Sequence, residues 1–296
     1  MKIPTKKQLL MFTVFSVAAG LILAAARTAI SLLWLEGGIE MYAHGTPLPT
    51  VLHILITVCA LAVCASGFLH YNDVPENEVP APQSQFMLFT SMFCGFLLLA
   101  YDLYLIFDVA SNNWDALGPL IGRPQTATVT MASAIFTLCL MIFAIPAAIS
   151  FFKSSQNVQT PSRPVFATMT VVWLVLFALH AYFDASISFN SPTKILRILT
   201  ILALALYAIY ETRTLLGIPL PRLYFPSAYL AVLLGLTHAI SDAVLLGAGK
   251  IVLKEGYLGI AVELAYVVYI IARLLHTGVT VPAVPEESDN DTDIRG

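Results

Sequence analysis

Residues 223–246 read LYFPSAYLAVLLGLTHAISDAVLL, and this stretch decides the fold class of the chain. About 20 consecutive apolar residues suffice to cross the hydrocarbon core of a bilayer as an α-helix. The stretch has that length, and it contains only one imidazole, that of His238, and one carboxylate, that of Asp242. It therefore predicts a membrane-spanning helix, because a helix pairs its backbone polar groups internally.

Seven further stretches have the same character, so the sequence predicts an all-α, polytopic membrane bundle of eight transmembrane helices. The predicted spans cover residues 8–35, 49–70, 84–109, 126–152, 164–187, 193–216, 223–246 and 257–276. Strands of a membrane barrel would be shorter and would alternate between apolar and polar residues. We expect residues 1–281 to form one eight-span domain and residues 282–296 to form a short, acidic, disordered tail.

The composition agrees with a membrane protein and argues against a nucleic-acid-binding protein. Hydrophobic residues make up 58% of the 296 residues and charged residues 11%, whereas soluble domains carry about 25% charged residues. The formal net charge of −3 is too small to indicate a nucleic-acid partner. The cysteines lie inside apolar runs without a CxxC spacing and are interpreted as small buried side chains: Cys59, Cys64, Cys94 and Cys139. The lipid bilayer is thus the expected partner, and protein partners stay open.

The basic residues predict how the spans are oriented. Lys2, Lys6 and Lys7 precede the first span, which places the N-terminus in the cytoplasm, and eight spans return the C-terminus to the same side. This topology puts nine Lys and Arg residues on the cytoplasmic side and six on the other, as expected for a multi-pass protein of the cell membrane. Cleavage of the first span as a signal peptide would leave seven spans, but its apolar run is longer than in most signal peptides.

Two of the predicted spans contain a histidine followed four residues later by an aspartate. The segments are ALHAYFDAS, with His180 and Asp184, and LTHAISDAV, with His238 and Asp242. Residues four apart lie on one face of a helix, so each histidine is expected to reach the aspartate of its own helix. Ionisable groups are costly inside a membrane and commonly mark a functional site there.

The last four spans also contain a possible two-helix repeat. LHAYFDA (179–185) matches THAISDA (237–243) at an offset of 58 residues. Tyr207 and Tyr210 match Tyr266 and Tyr269 at an offset of 59. Because an even number of spans separates the copies, the two halves of this repeat would run in the same direction.

When the spans alternate in direction, their ionisable residues fall in the half of the membrane away from the N-terminus. These residues come late in odd-numbered spans and early in even-numbered spans: Arg27, His53, Asp102, Asp108, His180, Asp184, Arg197, His238, Asp242 and Glu263. The sequence predicts a polar pocket there, with Arg27 balancing charge beside His180, Asp184, His238, Asp242, Asp102 and Glu263. The excess of carboxylates favours a small cationic or protonatable solute, which the protein would bind or transport.

Two other functions remain open from the sequence. In an intramembrane metal-dependent hydrolase, His180, His238 and Asp242 would hold a divalent metal ion, and Glu263 would act as general base. In a non-catalytic sensor or assembly component, the polar pairs would only hold helices together. No glycine-rich nucleotide loop, GxSxG or HExxH motif occurs, so no catalytic residue is assigned and a non-enzyme is favoured.

Overall fold

The computed structural model describes residues 6–36, 41–43, 45–70, 84–126, 129–155, 162–184, 187–188, 190–253 and 255–277. These residues contain eight helices long and apolar enough to cross a membrane. The helices are α1 (Lys6–Trp34), α2 (Leu48–His70), α3 (Gln85–Ser111), α4 (Met131–Ser155), α5 (Arg163–Phe183), α6 (Pro192–Leu215), α7 (Pro221–Gly247) and α8 (Gly256–Thr277). The predicted all-α, eight-span architecture is therefore confirmed. The predicted tail, 282–296, lies outside the described residues.

Two short elements outside the spans were not predicted. The strands β1 (Leu35–Glu36) and β2 (Met41–Tyr42) form an antiparallel pair after α1. A 3-10 helix, Asp115–Ile121, follows α3. The end of α5 also differs from the prediction, because the helix stops at Phe183 and Asp184 takes an extended conformation at its C-cap.

The helix that contains the opening stretch, α7, lies at the centre of the bundle and packs against α1, α2, α6 and α8. In the most apolar 18-residue stretch of each helix, 67% of the residues are buried in α7 and in α8, whereas 22% are buried in α2. A helix that is apolar on every side suits a core position, because it offers no polar face to water. His238 and Asp242 of α7 are consequently buried in the protein interior.

Side-chain contacts show which helices run in the same direction. The hydroxyl of Tyr229, early in α7, donates to the carbonyl of Leu9 in α1 at 3.3 Å. Arg27 and Asp242 meet near the other ends of the same two helices. Because α1 and α7 are therefore parallel, we call the face where both begin the N-side face and the other the opposite face.

A glycine allows α7 and α8 to approach each other closely. A Cβ atom placed on Gly235 would lie 2.2 Å from Cγ2 of Val267, which is far inside van der Waals contact. Such close approach of backbones at small residues is common in membrane bundles. Gly235 precedes His238 on α7, and Val267 follows Glu263 on α8, so this contact sets the spacing of two ionisable residues.

Candidate functional site

A buried ion pair joins the first helix to the central one. Arg27 Nη1 lies 2.5 Å from Asp242 Oδ1, and the two side chains are 2% and 0% exposed. Arg27 also donates to the hydroxyl of Ser241, which donates in turn to the carbonyl of Thr237. Buried charges persist only when paired in this way, so α1 and α7 depend on each other for charge balance.

His238 lies between two carboxylates. Its Nδ1 is 3.3 Å from Asp242 Oδ2, one helical turn away, and its Nε2 is 3.2 Å from Glu263 Oε2 on α8. Both distances are short, but neither contact has the direction of an aligned hydrogen bond. A neutral imidazole has one N–H and can donate to one of these carboxylates, whereas an imidazolium can donate to both. The surroundings of His238 therefore offer a place for a second ring proton.

Arg197 continues the series of charges on α6. Its Nε lies 3.4 Å from Glu263 Oε1, and its Nη1 lies 3.1 Å from Glu255 Oε2. The other oxygen of Glu255 lies 3.4 Å from Nε2 of His180 on α5. The guanidinium also sits over the ring of Phe177, with 5.2 Å between Cζ and the ring centroid. Arg197 thus connects two carboxylates that each face a histidine.

Together these contacts form one continuous series, which we call the buried ion network. Its members, in order of contact, are Arg27, Asp242, His238, Glu263, Arg197, Glu255 and His180. All of these side chains are buried, and they come from α1, α5, α6, α7, α8 and the residue before α8. With neutral histidines, three carboxylates face two guanidinium groups, so one proton on a histidine makes the network neutral.

Glu255 lies just outside the spans, and its neighbours stabilise its negative charge. Burial alone would raise the pKa of its carboxyl, but Arg197 and His180 outweigh that effect and hold the pKa well below its usual range. Glu255 is therefore an anion at neutral pH. Its ionisation links a loop to the end of α5 and the start of α6.

The lowered pKa of Glu255 predicts how stability depends on pH. A carboxyl whose pKa falls on folding contributes stability above its unfolded pKa, ordinarily 4.5, and loses that contribution as the pH drops below this value. We expect Glu255→Gln to be less stable than the wild type at neutral pH and the two unfolding curves to converge in acid. Unfolding titrations in detergent at several pH values measure this difference, and a gap independent of pH would contradict the prediction.

Asp102 on α3 and Asp184 at the C-cap of α5 are not among the residues whose contacts build the network. Asp102 is 3% exposed, and its Oδ1 has no hydrogen-bond partner among the described residues. Asp184 caps α5, where its backbone carbonyl accepts a hydrogen bond from Lys194 Nζ at 2.5 Å. His180 faces Glu255 instead, and within the described chain its Nδ1 has no hydrogen-bond partner. The histidine-to-aspartate contact of α7 is thus not reproduced at His180.

The predicted metal ligands do not form one site. His238 and Asp242 are in contact, but His180 lies at the far end of the network, beyond Glu263, Arg197 and Glu255. A guanidinium between two halves of a donor set repels a cation. In the described parts of the chain, no group of three or more His, Cys, Asp or Glu side chains is arranged to hold a metal ion. The contacts of the described residues therefore give no support to a metal set of His180, His238 and Asp242, which stays a prediction.

The sequence did not indicate Glu255 as a site residue, and it placed Arg197 near the membrane interface and not among the pocket residues. Glu255 falls in the predicted loop before the eighth span, and Arg197 lies early enough in its span to reach the interface with its long side chain. Helical spacing does not relate Glu255 to Glu263, because Glu255 lies in the turn before α8.

Three of the pockets that described residues line lie at three levels of the bundle. The N-side pocket, with about 20 Å³ of space open to water, is lined by Ser154, Arg163, Glu211 and Tyr269 among others. The middle pocket, also with about 20 Å³, is mainly apolar and reaches Glu263. The opposite-face pocket, with about 10 Å³, includes Asp108, His180 and Glu255. Two members of the buried ion network on either side of Arg197, Glu263 and Glu255, therefore each border a pocket.

The N-side pocket has a polar cluster of its own. Glu211 Oε1 lies 3.1 Å from Arg273 Nε and accepts a hydrogen bond from the Tyr269 hydroxyl at 2.6 Å. The Tyr269 hydroxyl is also 3.0 Å from the hydroxyl of Ser154. A carboxylate is thus positioned at the N-side end of the molecule, distant from the buried ion network.

No known family model matches this multi-spanning membrane protein, and neither a characterised protein nor a solved structure resembles it significantly.

Proposed function

We propose that this membrane protein binds and exchanges a proton in the buried ion network, in the course of moving protons or another small protonatable solute. The observation that carries the proposal is the position of His238 between Asp242 and Glu263, at 3.3 Å and 3.2 Å. Histidine is the side chain best suited to proton exchange near neutral pH. Two carboxylates beside one imidazole supply acceptors for both of its ring protons.

The charge balance supports a proton as the solute. Groups facing His238 are the carboxylates of Asp242 and Glu263, with Arg27 beyond the first and Arg197 beyond the second. The complete network has one more carboxylate than guanidinium groups when both histidines are neutral. In a medium of low dielectric, an uncompensated charge is costly, and a proton bound to either histidine would remove it.

The arrangement favours a proton over a metal ion. Arg197 stands between the two glutamates at hydrogen-bonding distances, and Arg27 stands beside Asp242. These guanidinium groups occupy the oxygen ligands that a divalent cation would need. A proton adds to a nitrogen of His238 without displacing either arginine.

We further infer that the protein resides in the cell membrane with both termini in the cytoplasm. The basis is the bias of nine basic residues against six in the alternating topology. In that orientation, the N-side face is cytoplasmic and the buried ion network lies in the outer half of the membrane.

The proposal predicts a protonation signal from His238. Infrared difference spectra of the protein in lipid, recorded between about pH 8 and about pH 5, are expected to contain an imidazole band that shifts on 15N labelling of histidine. Because the chain has six histidines, the component of His238 is the part of this band that is missing in His238→Gln, since glutamine has a similar reach but does not titrate. His53→Gln is the comparison variant, since His53 is exposed on α2 and is not a member of the network.

The two variants separate the proposal from a purely structural role of the network. Circular dichroism and gel filtration must first show that both variants fold. An unchanged imidazole band in folded His238→Gln would overturn the proposal, and so would a wild type without any histidine signal. His53→Gln should leave the component of His238 unchanged, and loss of that component in His53→Gln would contradict its assignment to His238.

A further inference from the structure

The position of Arg197 restricts the paths by which a proton can reach His238. Its guanidinium lies between Glu263 and Glu255 and therefore separates the His238 half of the network from the His180 half. Arginine does not release its proton in proteins, so it interrupts proton transfer along the series. His180 and Glu255 border the opposite-face pocket. The His238 half consequently needs a different connection to water.

The middle pocket adjoins the His238 half of the network. Glu263, the residue that faces His238, lines this pocket on α8. The other walls come from α3, α5 and α6, including Trp173 and Leu204. The network lies towards the opposite-face ends of the helices, whereas these pocket residues lie near the middle of theirs. The middle pocket is therefore on the N-side of the network.

The middle pocket and the N-side pocket are neighbours. Phe151, Thr170 and Tyr266 line both of them, so these side chains lie between the two spaces. The N-side pocket continues from there to Glu211 and Arg163 near the N-side ends of α6 and α5. The two pockets thus lie one after the other between the N-side ends of these helices and Glu263, separated by shared side chains.

Polar atoms of residues that line these two pockets have no hydrogen-bond partner among the described residues. Thr170 Oγ1 and Trp173 Nε1 are such atoms, on side chains 5% and 2% exposed, and Glu263 Oε2 makes no aligned hydrogen bond. Arg163 Nε is a further example at the N-side pocket. Buried polar atoms nearly always have a partner, and these atoms offer the hydrogen bonds that an ordered water beside them would need.

We propose that His238 and Glu263 exchange their proton with the N-side face through water in the N-side and middle pockets. The inference rests on the proposed function. The proton leaves the His238 ring for a Glu263 oxygen, passes to water beside Thr170, and is replaced by a proton moving the other way. No electrons are transferred. The two halves of the network then face opposite sides of the membrane, with Arg197 as the barrier between them.

The experiment uses a cysteine at Thr170 in a full-length background whose four native cysteines are replaced by alanine. In liposomes, a membrane-impermeant methanethiosulfonate reagent is applied to one face at a time, and the infrared response of His238 to a pH jump is timed. We expect Thr170→Cys to react from the N-side face only. Modification should slow the His238 response about tenfold or more by filling the space between the pockets.

Thr137→Cys is the matched control, because Thr137 is a buried threonine that lines the opposite-face pocket. It should react from the opposite face and leave the His238 response unchanged. Ala167→Cys, at the N-side pocket, replaces Thr170→Cys if that variant does not fold. An unreactive Thr170→Cys, or a modified one with an unchanged His238 response, overturns the N-side route while the proposed function stands. A wild type without a His238 signal removes both.

Discussion

Asp242→Ala is expected to lower the free energy of unfolding by about 3–5 kcal/mol, because it leaves Arg27 buried without its partner. Arg27 is 2% exposed, and Asp242 is the carboxylate that contacts its guanidinium at 2.5 Å. The neighbouring Ser241 hydroxyl accepts a hydrogen bond from Arg27 but cannot neutralise its charge. Unfolding of the purified protein in mixed micelles with increasing sodium dodecyl sulfate measures the difference.

Two comparisons identify the cause of this loss. Asp115→Ala breaks the ion pair with Arg123, whose side chains are 68% and 48% exposed, and should cost about 1 kcal/mol or less. Arg27→Met combined with Asp242→Leu removes both charges and should recover most of the stability, since apolar replacements of a buried pair are often tolerated. If the double variant were as unstable as Asp242→Ala, the isolated charge would not be the cause.

Gly235→Ala is expected to cost about 1–3 kcal/mol of stability, because its new methyl group overlaps Val267. The Cβ would lie 2.2 Å from Val267 Cγ2, and the valine is fully buried. A valine side chain in a helix has one strongly preferred rotamer and cannot turn aside easily. The helices must therefore separate, which also increases the distance between His238 and Glu263, and we expect the proton signal of His238 to weaken.

A second substitution on α8 provides the decisive comparison. Val267→Ala removes the clashing methyl groups, so Gly235→Ala with Val267→Ala should be more stable than Gly235→Ala alone. Gly247→Ala is the matched control on the same helix, because its Cβ would meet only the terminal hydroxyl of Tyr257, a movable group. Equal stability of Gly235→Ala and Gly247→Ala would mean that α7 and α8 are not closely packed at this point.

The helices were predictable from sequence because the bilayer imposes a local requirement. A run of about 20 apolar residues must pair its own backbone, so length and composition alone identify each span. The contact of His238 with Asp242 was predictable for the same reason, since four residues along a helix fix a shared face. At His180 the same spacing was not enough, because α5 ends at Phe183 and Glu255 approaches from another part of the chain.

The sequence did not predict which side chains of different helices contact each other. Alternating spans predict the depth of a residue in the membrane, but they do not predict which direction its side chain points around the helix. Asp102 and Glu263 were assigned to the same half of the membrane, yet only Glu263 contacts His238. Glu255 was left out because it lies between spans, where a folded loop returns it to the interior. Such tertiary contacts depend on helix packing, which no local pattern contains.

The distance in sequence between Arg27 and Asp242 has a consequence for biosynthesis. The two residues are 215 positions apart, so α1 is synthesised long before α7. At about 5–20 residues per second, translation supplies the partner only after ~10–40 s. During that interval, Arg27 lies seven residues before the end of α1 at Trp34, close enough to extend its guanidinium towards the opposite interface. We therefore expect the Arg27 guanidinium to lie among the lipid headgroups until α7 is synthesised, and to become buried in the protein when α7 packs against α1.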